Sequence, residues 1–428
     1  MKVIKQFKEQ QLKKYSLFNN QELENKNLKE IEEIWKNFIL NEFFINEETY
    51  FLQIYITTIK QNELKKEFLK IMEYEDYLNI LSGIQNLSHI RPLKKECEII
   101  NKITNDNRIL EYWKSTSEEQ ILKDYKNNKN QIYFEGINEY INEYGYHSNS
   151  DLDLTVDPYY YDVKSLITRF KNNIITENIN ILLKGNLEKN DLYNKVLNKL
   201  QIKLPKRKFK KLEKKIIEIR DFMWWREELK DLSNRYYALV KKYTKILAQK
   251  YYEKGILKDV LDIHYLEYTD IINFINGKNN KEEIYEIINK NKKYCKSFIN
   301  FKNPNDIGKD INHMEKLLKK DTLKGVGCST GIKSGKVRIV NSLDDINKIQ
   351  KGEILVTKFI DTGWISRFGI LNGVVSEYGG TLCHSSIVAR EYEIPAIVGI
   401  ENIENIFKNG EIIEINGSTG EIRRIWKM

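Results

Sequence analysis

The stretch Glu377–Ile400, EYGGTLCHSSIVAREYEIPAIVGI, decides how the C-terminal part of the chain is interpreted. It has the pattern of a strand end, a tight turn, a short helix and a second strand. Gly379 and Gly380 allow a positive φ and the close approach of a ligand to the backbone. Thr381 offers a hydroxyl group and a helix N-cap. The pattern predicts that His384 lies in the first turn of the helix, where unpaired N–H groups and the positive end of the helix dipole meet.

Such a position favours chemistry in which the imidazole carries a phosphoryl group. The start of a helix attracts anions and disfavours an imidazolium, so a neutral, nucleophilic imidazole is kept available. The residues alone also allow an ordinary surface or capping histidine. Cys383 cannot pair with His384, because adjacent helical residues point about 100° apart. No His, Cys and Asp residues stand at metal-ligand spacing, so we predict no metal site.

Glycine usage divides the chain into two regions, with seven of the 21 glycines before residue 321 and fourteen after it. Apolar residues at helical spacing predict one amphipathic helix each for NLKEIEEIWKNFILNEFF, EEQILKDYKNNKNQIYFEGINEYINEYG and REELKDLSNRYYALVKKYTKILAQKYYEKG, the last ending at Gly255. Short β-branched segments predict strands at GKVRIV, GEILVTK, NGVVSE, PAIVGI, GEIIEIN and GEIRRI. The predicted fold class is multidomain α and β, with a mostly α-helical domain over residues 1–320 and an α/β domain over residues 321–428.

The segment from Gly325 to Met428 resembles the phosphohistidine, or swivelling, domain of the PEP-utilising enzyme family. That pattern is GG-x-x-x-H-x-x-I-x-A-R-E followed by IPA-x-VG. The matching residues are Gly379, Gly380, His384, Ile387, Ala389, Arg390, Glu391, Ile394, Pro395, Ala396, Val398 and Gly399. The flanking segments GVGCSTGIKSGKVRIV, GEILVT, DTGWISRF and INGSTGEI agree as well. The resemblance implies a β/β/α swivelling domain in which His384 carries phosphate and Gly379, Gly380 and Thr381 bind it.

The helical region is similar to the substrate-binding domain of rifampicin-phosphotransferase-like enzymes. The segment YGYHSNSDLDLTVDPYYYD resembles a family motif, which implies substrate-binding roles for His147, Asp151 and Asp153. The segment REELK places Arg226 and Lys230 at i and i+4, where two cations could neutralise a phosphoryl group during transfer. The residues by themselves also allow plainer roles, namely a turn residue, caps or ion-pair partners, and a charged helix face.

Two domains of this family have no counterpart in the sequence. The first 320 residues are poor in glycine and lack a Gly-rich loop that could cradle nucleotide phosphates. Too few residues follow His384 for the TIM barrel of PEP and pyruvate chemistry, which needs about 250. The resemblance therefore implies that this chain binds no cofactor itself. ATP and Mg²⁺ are expected at a separate ATP-grasp protein that acts as its partner.

Composition and charge predict a protein of the cytoplasm. No apolar run approaches the roughly 20 residues of a membrane span, the first residues lack the apolar core of a signal peptide, and the four cysteines are scattered. The net charge of +9 arises before Gly325, because 12 basic and 12 acidic residues follow from there. No nucleic-acid-binding motif accompanies this charge. We therefore expect a small-molecule acceptor, and neither nucleic acid nor a membrane, as a partner.

A carrier histidine must visit two sites, which implies that the two domains move relative to each other. The segment Phe301–Gly325 contains Pro304, Asn305 and Gly308 and is predicted to act as the hinge. We further expect the contact between the domains to be small and polar, because a large apolar contact would hold them together.

The sequence thus predicts a phosphotransferase component. His384 would receive a phosphoryl group from ATP through the ATP-grasp partner and pass it to a small molecule held by the helical domain. A carboxylate or His147 would take the proton of the acceptor. Two alternatives stay open. The chain could be one part of an amino-acid or amide kinase that forms a phosphoramidate, or it could be a non-catalytic phosphocarrier or regulatory protein.

Overall fold

A computed structural model of the protein describes residues 2–23, 25–129, 131–176, 192–298, 301, 322–360, 364–381 and 383–425. The chain forms two compact units. Unit 1 comprises Met1–Ile54, Tyr146–Tyr161 and Glu228–Pro304, and unit 2 comprises Tyr55–Gly145, Asp162–Glu227 and Asn305–Met428. The division of the sequence into domains at residue 320 stays a prediction. The predicted hinge lies almost entirely outside the described residues.

Helices dominate the described residues before Thr322, as the apolar spacing predicts. The α-helices are Lys2–Asn19, Leu28–Phe38, Phe44–Phe68, Tyr74–Ile80, Arg91–Asn105, Asn107–Ser115, Glu118–Lys126, Glu135–Tyr144, Val163–Thr176, Lys206–Glu253, Tyr268–Ile275 and Lys281–Phe298. Residues 192–203 are helical as well. A π-helical turn spans Ile39–Phe43, and 3₁₀ turns span Ser88–Ile90, Gln131–Tyr133 and Val260–Tyr265. The prediction of a mostly helical N-terminal part is confirmed.

The helix Lys206–Glu253, called the long helix below, contains the predicted REELK segment but begins well before it. The earlier residues continue the apolar spacing, and Leu212, Ile216 and Ile219 are buried on its face. Its end agrees with the prediction, since Gly255 has a φ of +64°. The N–H of Gly255 donates to the Tyr252 carbonyl and that of Ile256 to the Tyr251 carbonyl, which closes the last turn.

The single helix predicted for EEQILKDYKNNKNQIYFEGINEYINEYG is wrong. The structure has three elements there, which are Glu118–Lys126, Gln131–Tyr133 and Glu135–Tyr144. Asn128 adopts a left-handed conformation with a φ of +52°, which asparagine tolerates better than most residues. The N–H of Lys129 then turns back to the Asp124 carbonyl. The asparagine-rich stretch therefore ends the first helix despite the continuing apolar pattern.

Aromatic side chains form the centre of unit 1. Phe38 is fully buried, and its ring centroid lies 6.0 Å from that of Tyr236 and 5.0 Å from that of Tyr243 on the long helix. The indole Nε1 of Trp35 donates to the Thr244 hydroxyl at 3.0 Å, which satisfies its buried polar atom. These contacts fix the helix Leu28–Phe38 against the long helix.

A buried ion pair joins two helices in unit 2. Glu96, only 1 % exposed, accepts hydrogen bonds from Arg169 Nη2 at 2.6 Å and from Asn173 Nδ2 at 2.5 Å. Such a pair stabilises the fold only when both charges are satisfied, because each charge loses its hydration on burial. The helices Arg91–Asn105 and Val163–Thr176 are connected in this way.

An eight-stranded mixed sheet forms the C-terminal part of unit 2. Its strands are β1 (Thr322–Lys324), β2 (Val326–Ser329), β3 (Ile332–Ile339), β4 (Ile354–Thr357), β5 (Gly373–Ser376), β6 (Ala396–Val398), β7 (Ile412–Asn416) and β8 (Glu421–Arg424). The spatial order is β1-β8-β7-β3-β4-β5-β6-β2. Strands β3 to β6 run parallel, and the other pairs are antiparallel. All six predicted strands are confirmed, and the sequence pattern missed the short strands β1 and β2.

The central strands are covered on both faces, which explains their continuous apolar sequences. On one face Leu355 and Val374 pack in a cluster with Phe368, Val388 and Ala389. The other face belongs to a second cluster whose members include Ile354, Val356, Val375, Ile397 and Ile413. The helix His384–Glu391, called the histidine helix below, lies on the first face, between β5 and β6 in sequence.

The helical residues of unit 2 contact the histidine helix through apolar side chains. Ile387 packs in one cluster with Leu87 and Ile90, and Leu93 enters the cluster on the first face of the sheet. A hydrogen bond from the Tyr74 hydroxyl to the Gly327 carbonyl, at 3.0 Å, adds a polar contact. The expectation of a polar contact is therefore wrong, because apolar side chains take part in it, and the expected small size stays a prediction. The segment before Leu93 presents apolar side chains that this packing removes from water.

Within the described residues, no helix combines the length and the apolar composition that crossing a bilayer requires.

Candidate active site

The turn after β5 brings the predicted glycines next to the histidine helix, at the carboxyl end of the parallel strands. Gly379 has a φ of +140°, and a Cβ atom there would stand 2.9 Å from Cys383 Sγ. Glycine is therefore required at this position, because other residues rarely adopt this φ and because a Cβ atom would stand too close to Cys383. Gly380 has open space around it, and its carbonyl accepts hydrogen bonds from the Cys383 N–H at 3.0 Å and from the Ser386 hydroxyl at 2.7 Å.

His384 is the first residue of the histidine helix, which agrees with the predicted place in the first turn. The N-cap is Cys383 and not Thr381, which corrects the expected cap. Cys383 has extended backbone angles (φ −67°, ψ 160°), and its carbonyl accepts the N–H of Ile387 at 3.1 Å. The turn from Gly379 needs more residues than the pattern suggested, so Thr381 lies in the turn before the cap.

The surroundings of Cys383 show what this helix start does to a negative charge. Burial of the thiol opposes its ionisation, but hydrogen-bond contacts with the hydroxyl groups of Ser385 and Ser386, and with backbone N–H groups, bring the pKa of Cys383 below its usual value. Unpaired N–H groups at the start of a helix favour anions in the same way. The lowered pKa of Cys383 thus indicates that the start of the histidine helix favours a negative charge.

Two residues for which the sequence predicted no role at the site hold the turn in place. Ser386 is fully buried and donates its hydroxyl hydrogen to the Gly380 carbonyl. Arg390 is also buried, and its Nη1 donates to the carbonyls of Thr381 at 2.9 Å and Cys328 at 2.8 Å. Arg390 belongs to the A-R-E part of the motif, so the sequence shows that an arginine is present there. The sequence does not show that this arginine hydrogen-bonds to the turn, because that contact depends on the fold.

Arg226 and Lys230 both lie on the long helix, one turn apart. Arg226 belongs to unit 2 and Lys230 to unit 1. The Nε of Arg226 lies 3.8 Å from Glu227 Oε1, so an acidic residue contacts this cation in the structure. Their predicted role in binding a phosphoryl group stays a prediction.

His89 lies against the same acidic residue. Its Nδ1 is 3.3 Å from Glu227 Oε2, and both side chains are buried. The hydroxyl of the neighbouring Ser88 donates to the Glu227 carbonyl at 2.7 Å. These contacts join the 3₁₀ turn Ser88–Ile90 to the long helix, a structural role that needs no substrate.

His147 and Asp151, two of the predicted substrate-binding residues, lie together in the interior of unit 1. Asp151 Oδ2 is 3.0 Å from His147 Nδ1, and it accepts a hydrogen bond from Asn234 Nδ2 at 2.9 Å. Burial opposes ionisation of Asp151, but His147, the Ser148 N–H and the nearby Lys230 bring its pKa below the usual 3.8. The structure thus brings His147, Asp151 and Lys230 into one electrostatic environment. Their role in substrate binding stays a prediction.

A second buried carboxylate extends this cluster. Asp231 accepts a hydrogen bond from the Tyr146 hydroxyl at 2.6 Å and from Arg235 Nε at 3.1 Å, and it lies 3.8 Å from His147 Nε2. Burial again opposes ionisation, but Arg235, His147 and the Tyr146 hydroxyl lower the pKa of Asp231. No sequence motif marks Asp231 or Arg235, because only the fold brings the loop from Tyr146 to the long helix.

Asp153, the third predicted substrate-binding residue, is exposed and separate from this cluster. Its carboxylate accepts hydrogen bonds from the N–H and the hydroxyl of Thr155, at 2.9 and 2.6 Å. Partial burial opposes ionisation, but these bonds and the charges of Lys241 and His264 lower its pKa. Asp153 closes a local turn in the structure, and its predicted role in binding substrate is untested.

The Asp231→Asn substitution is expected to destabilise the protein by about 3 kcal/mol at pH 7, because Arg235 would lose its buried counter-charge. The pKa of Asp231 is lower in the folded state than the usual 3.8. Its contribution is therefore complete above that value and is lost as the pH falls towards the folded-state pKa. Urea unfolding at a series of pH values should show the difference between variant and wild type shrinking below about pH 4.

Asp157→Asn is the matched control for that comparison, because Asp157 pairs with Lys245 at 2.8 Å on the surface. This exposed pair should change the free energy of unfolding by less than about 1 kcal/mol. A difference for Asp231→Asn that stayed constant from pH 7 to pH 3 would contradict the assignment of the effect to its charge.

Among the described residues, no three His, Cys, Asp or Glu side chains are arranged to hold a metal ion.

A cavity of about 400 Å³ lies beside the histidine helix in unit 2. It is lined by Gly83, Ile84, Gln85, Tyr193, Asn194, Arg220, Asp221 and Trp224. Ile84 and Trp224 also pack against the cluster that contains Ile387. Ile387 follows His384 by three residues, so the two positions share one side of the helix. The volume is in the range of small-molecule sites.

Arg220 forms one wall of that cavity and is held rigidly. Its Nη1 donates to the carbonyls of Ile80 and Ser82, both at 2.7 Å, and its Nη2 donates to the Gly83 carbonyl at 3.0 Å. The guanidinium also lies 4.2 Å from the ring centroid of Tyr193, within cation–π distance. A wall fixed in this way is pre-organised, which reduces the entropic cost of binding a ligand.

Two known protein families match the chain. Residues 50–227 match the family described as "Rifampicin phosphotransferase fourth domain". Residues 349–420 match the family described as "PEP-utilising enzyme, mobile domain". The second match contains the turn, the histidine helix and strands β4 to β7.

Relatives of known name agree with both matches. The chain is 29% identical over 311 residues to a rifampicin phosphotransferase of Bacillus cereus, and 28% identical over 304 residues to that of Bacillus subtilis. Each alignment covers 67% of this chain and 34% of the relative. A probable phosphoenolpyruvate synthase of Methanothermobacter thermautotrophicus is 36% identical over 98 residues, which cover 23% of this chain and 14% of that protein.

The chain therefore spans about a third of the length of the rifampicin phosphotransferases that it matches. The two family matches together include the helical residues of unit 2 and, in the sheet, strands β4 to β7 with the histidine helix. Residues 50–227 of this chain are thus similar to the rifampicin phosphotransferase fourth domain, and residues 349–420 to the mobile domain of the PEP-utilising enzymes.

Proposed function

We propose that this chain is a cytoplasmic phosphotransferase component that carries a phosphoryl group on His384. The group comes from ATP, which binds with Mg²⁺ to a separate ATP-grasp protein, and passes to a small molecule held by the helical residues. The observation that carries this proposal is the position of His384. It is the first residue of a helix, directly after a glycine turn, inside the segment that matches the mobile domain.

The helix start supports the chemistry of a carrier. A phosphoryl group on the imidazole brings negative charge to the place where N–H groups and the helix dipole favour it, by about 0.3–2 kcal/mol. The lowered pKa of the adjacent Cys383 thiol, caused by hydrogen bonds that outweigh its burial, indicates the same preference. In the transfer step, the bond between phosphorus and the imidazole nitrogen breaks as the acceptor oxygen attacks phosphorus. The proton lost by the acceptor hydroxyl balances the proton that the released ring nitrogen takes up, so His384 leaves as a neutral imidazole.

The acceptor is proposed to bind in the cavity of about 400 Å³ beside the histidine helix. Trp224 and Tyr193 supply aromatic surface there, and Gln85 and Asn194 supply amide groups that can orient a ligand. The names of the relatives make rifampicin the first acceptor to test. Arg226 and Lys230 are the proposed cations for the phosphoryl group during transfer.

Trp224→Ala is expected to lower phosphoryl transfer to the acceptor at least about tenfold, because the cavity loses its largest aromatic wall. Phosphorylation of His384 should stay within about twofold of wild type, because that step does not use the cavity. Both steps are measurable in one reaction, by incubating the chain with labelled ATP, an ATP-grasp protein of the same organism and rifampicin. Gln85→Ala, an exposed change in the same cavity, should act in the same direction.

Gln131→Ala is the matched control, because Gln131 is exposed in the same unit but does not line the cavity. Equal transfer by wild type and by both cavity variants would overturn the assignment of the acceptor site. A chain that becomes phosphorylated on His384 but transfers to no small molecule would instead be a phosphocarrier. A product with a phosphorus–nitrogen bond would identify an amide or amino-acid kinase.

A further inference from the structure

A second polar feature belongs to the last turn of the histidine helix. Arg390 is a buried cation, only 4 % exposed. Its Nη1 donates to two backbone carbonyls, as described above, but its Nη2 has no hydrogen-bond acceptor among the described residues. No carboxylate in that part of the chain lies within ion-pair distance of Arg390, although the neighbouring Glu391 influences it through space. A buried charge without a counter-charge is costly to the fold.

Arg390, the residue that carries this unused donor, lines a small cavity of about 110 Å³. Asn79 and Ser82 line it from the helical residues, and Ser329, Thr330 and Arg390 line it from the sheet and the histidine helix. Its volume is well below the roughly 300 Å³ at which sites for drug-sized ligands begin. The cavity therefore has room for a single small group and not for a nucleotide.

The other polar groups of the cavity are mainly hydrogen-bond donors. The Asn79 side-chain oxygen already accepts the Thr330 hydroxyl at 3.4 Å, so the two amide N–H groups of Asn79 are the part available to a ligand. Ser329 adds a buried hydroxyl. Glu393 contributes the one acidic side chain of the lining, and it is exposed to solvent, where water screens its charge.

We propose that this cavity is a binding site for a small tetrahedral oxyanion, of the class of inorganic phosphate or sulfate, held by Arg390 Nη2, the Asn79 amide and the Ser329 hydroxyl. Charge-assisted hydrogen bonds to guanidinium are the strong contacts by which proteins hold such anions. The anion supplies the missing counter-charge of Arg390. Because Asn79 and Arg390 lie on opposite sides of the contact between the helical residues and the histidine helix, bound anion also stabilises that contact.

Titration calorimetry of the full, unphosphorylated chain with inorganic phosphate tests the proposal. We expect one saturable site, and a midpoint of thermal unfolding that rises with phosphate concentration, because a ligand that binds only the folded state stabilises it. Sulfate should compete for the same site. Heat that increases linearly without saturation would mean weak, non-specific binding to this basic protein and would overturn the proposal.

Asn79→Asp is the decisive variant, because it keeps the side-chain shape and places a carboxylate opposite Arg390. Phosphate affinity should fall at least tenfold, and the variant without phosphate should unfold at a higher temperature than wild type, since Arg390 gains a permanent partner. Asn138→Asp, an exposed change in the same unit, should alter neither quantity. Unchanged phosphate binding by Asn79→Asp would contradict the proposal that the anion binds in this cavity.

Two further variants separate this site from the transfer site. His384→Ala should bind phosphate with wild-type affinity, and loss of binding in that variant would place the anion at His384 instead. Arg390→Lys keeps a charge but lacks the second N–H group, so its phosphate affinity should fall at least tenfold. If Arg390→Lys does not fold, the Asn79→Asp comparison alone decides the question.

Discussion

Replacing His384 with alanine is expected to abolish phosphorylation of this chain, with a loss of at least about a thousandfold. The imidazole is the proposed nucleophile, and alanine leaves nothing at the helix start that can form a bond to phosphorus. The measurement is incubation with ATP, Mg²⁺ and an ATP-grasp protein, followed by peptide mass spectrometry in mild alkali. Wild type should carry one phosphate that is labile in acid and stable in base, on the peptide that contains His384.

His264→Ala is the matched control, since His264 is an exposed histidine of unit 1. It should be phosphorylated like wild type. Phosphate retained by His384→Ala under the same conditions would show that another residue is the carrier. The thermal unfolding of both variants should resemble that of wild type, so that loss of phosphate cannot be attributed to loss of structure.

Gly417→Ala is expected to destabilise the histidine-bearing sheet by about 3 kcal/mol or more. A Cβ atom at this position would overlap the Ser329 carbonyl oxygen, and it would stand 3.0 Å from backbone atoms of Pro395 and Ala396. These neighbours are backbone atoms of β2, β6 and the residue before β6, and they cannot rotate away as a side chain could. The added methyl group must therefore displace the strand edge itself.

Gly410→Ala is the control that separates destabilisation by steric overlap from destabilisation by an unfavourable backbone angle. Gly410 has a φ of +84°, but no atom lies within 4 Å of the position that an added methyl group would take, so its substitution should cost only about 1–2 kcal/mol. Urea unfolding followed by the fluorescence of the buried Trp364, which packs beneath the same sheet, compares the two variants. Equal destabilisation by both would contradict the role assigned to close packing at Gly417.

Local sequence alone determined the turn and the elements around the histidine. Gly379 must adopt a left-handed backbone, β-branched runs bounded by glycine form β3 to β8, and His384 lies in the first turn of its helix as predicted. These features depend on residues close together in sequence, where the allowed backbone angles and the apolar period decide the conformation. The same local reasoning failed at Asn128, because the apolar pattern continued across a residue that adopts a left-handed turn.

Only the tertiary structure decided which distant residues meet. Arg390 reaches the Thr381 carbonyl and a cavity shared with Asn79, and Asp231 of the long helix meets Tyr146 and His147. The apolar contact of Ile387 with Leu87 and Ile90 likewise joins segments about three hundred residues apart. No local pattern encodes such pairs, because burial and charge compensation between distant segments depend on how the whole chain packs. The sequence therefore singled out His384 as the proposed carrier, and the fold determined which residues and charges lie around its helix.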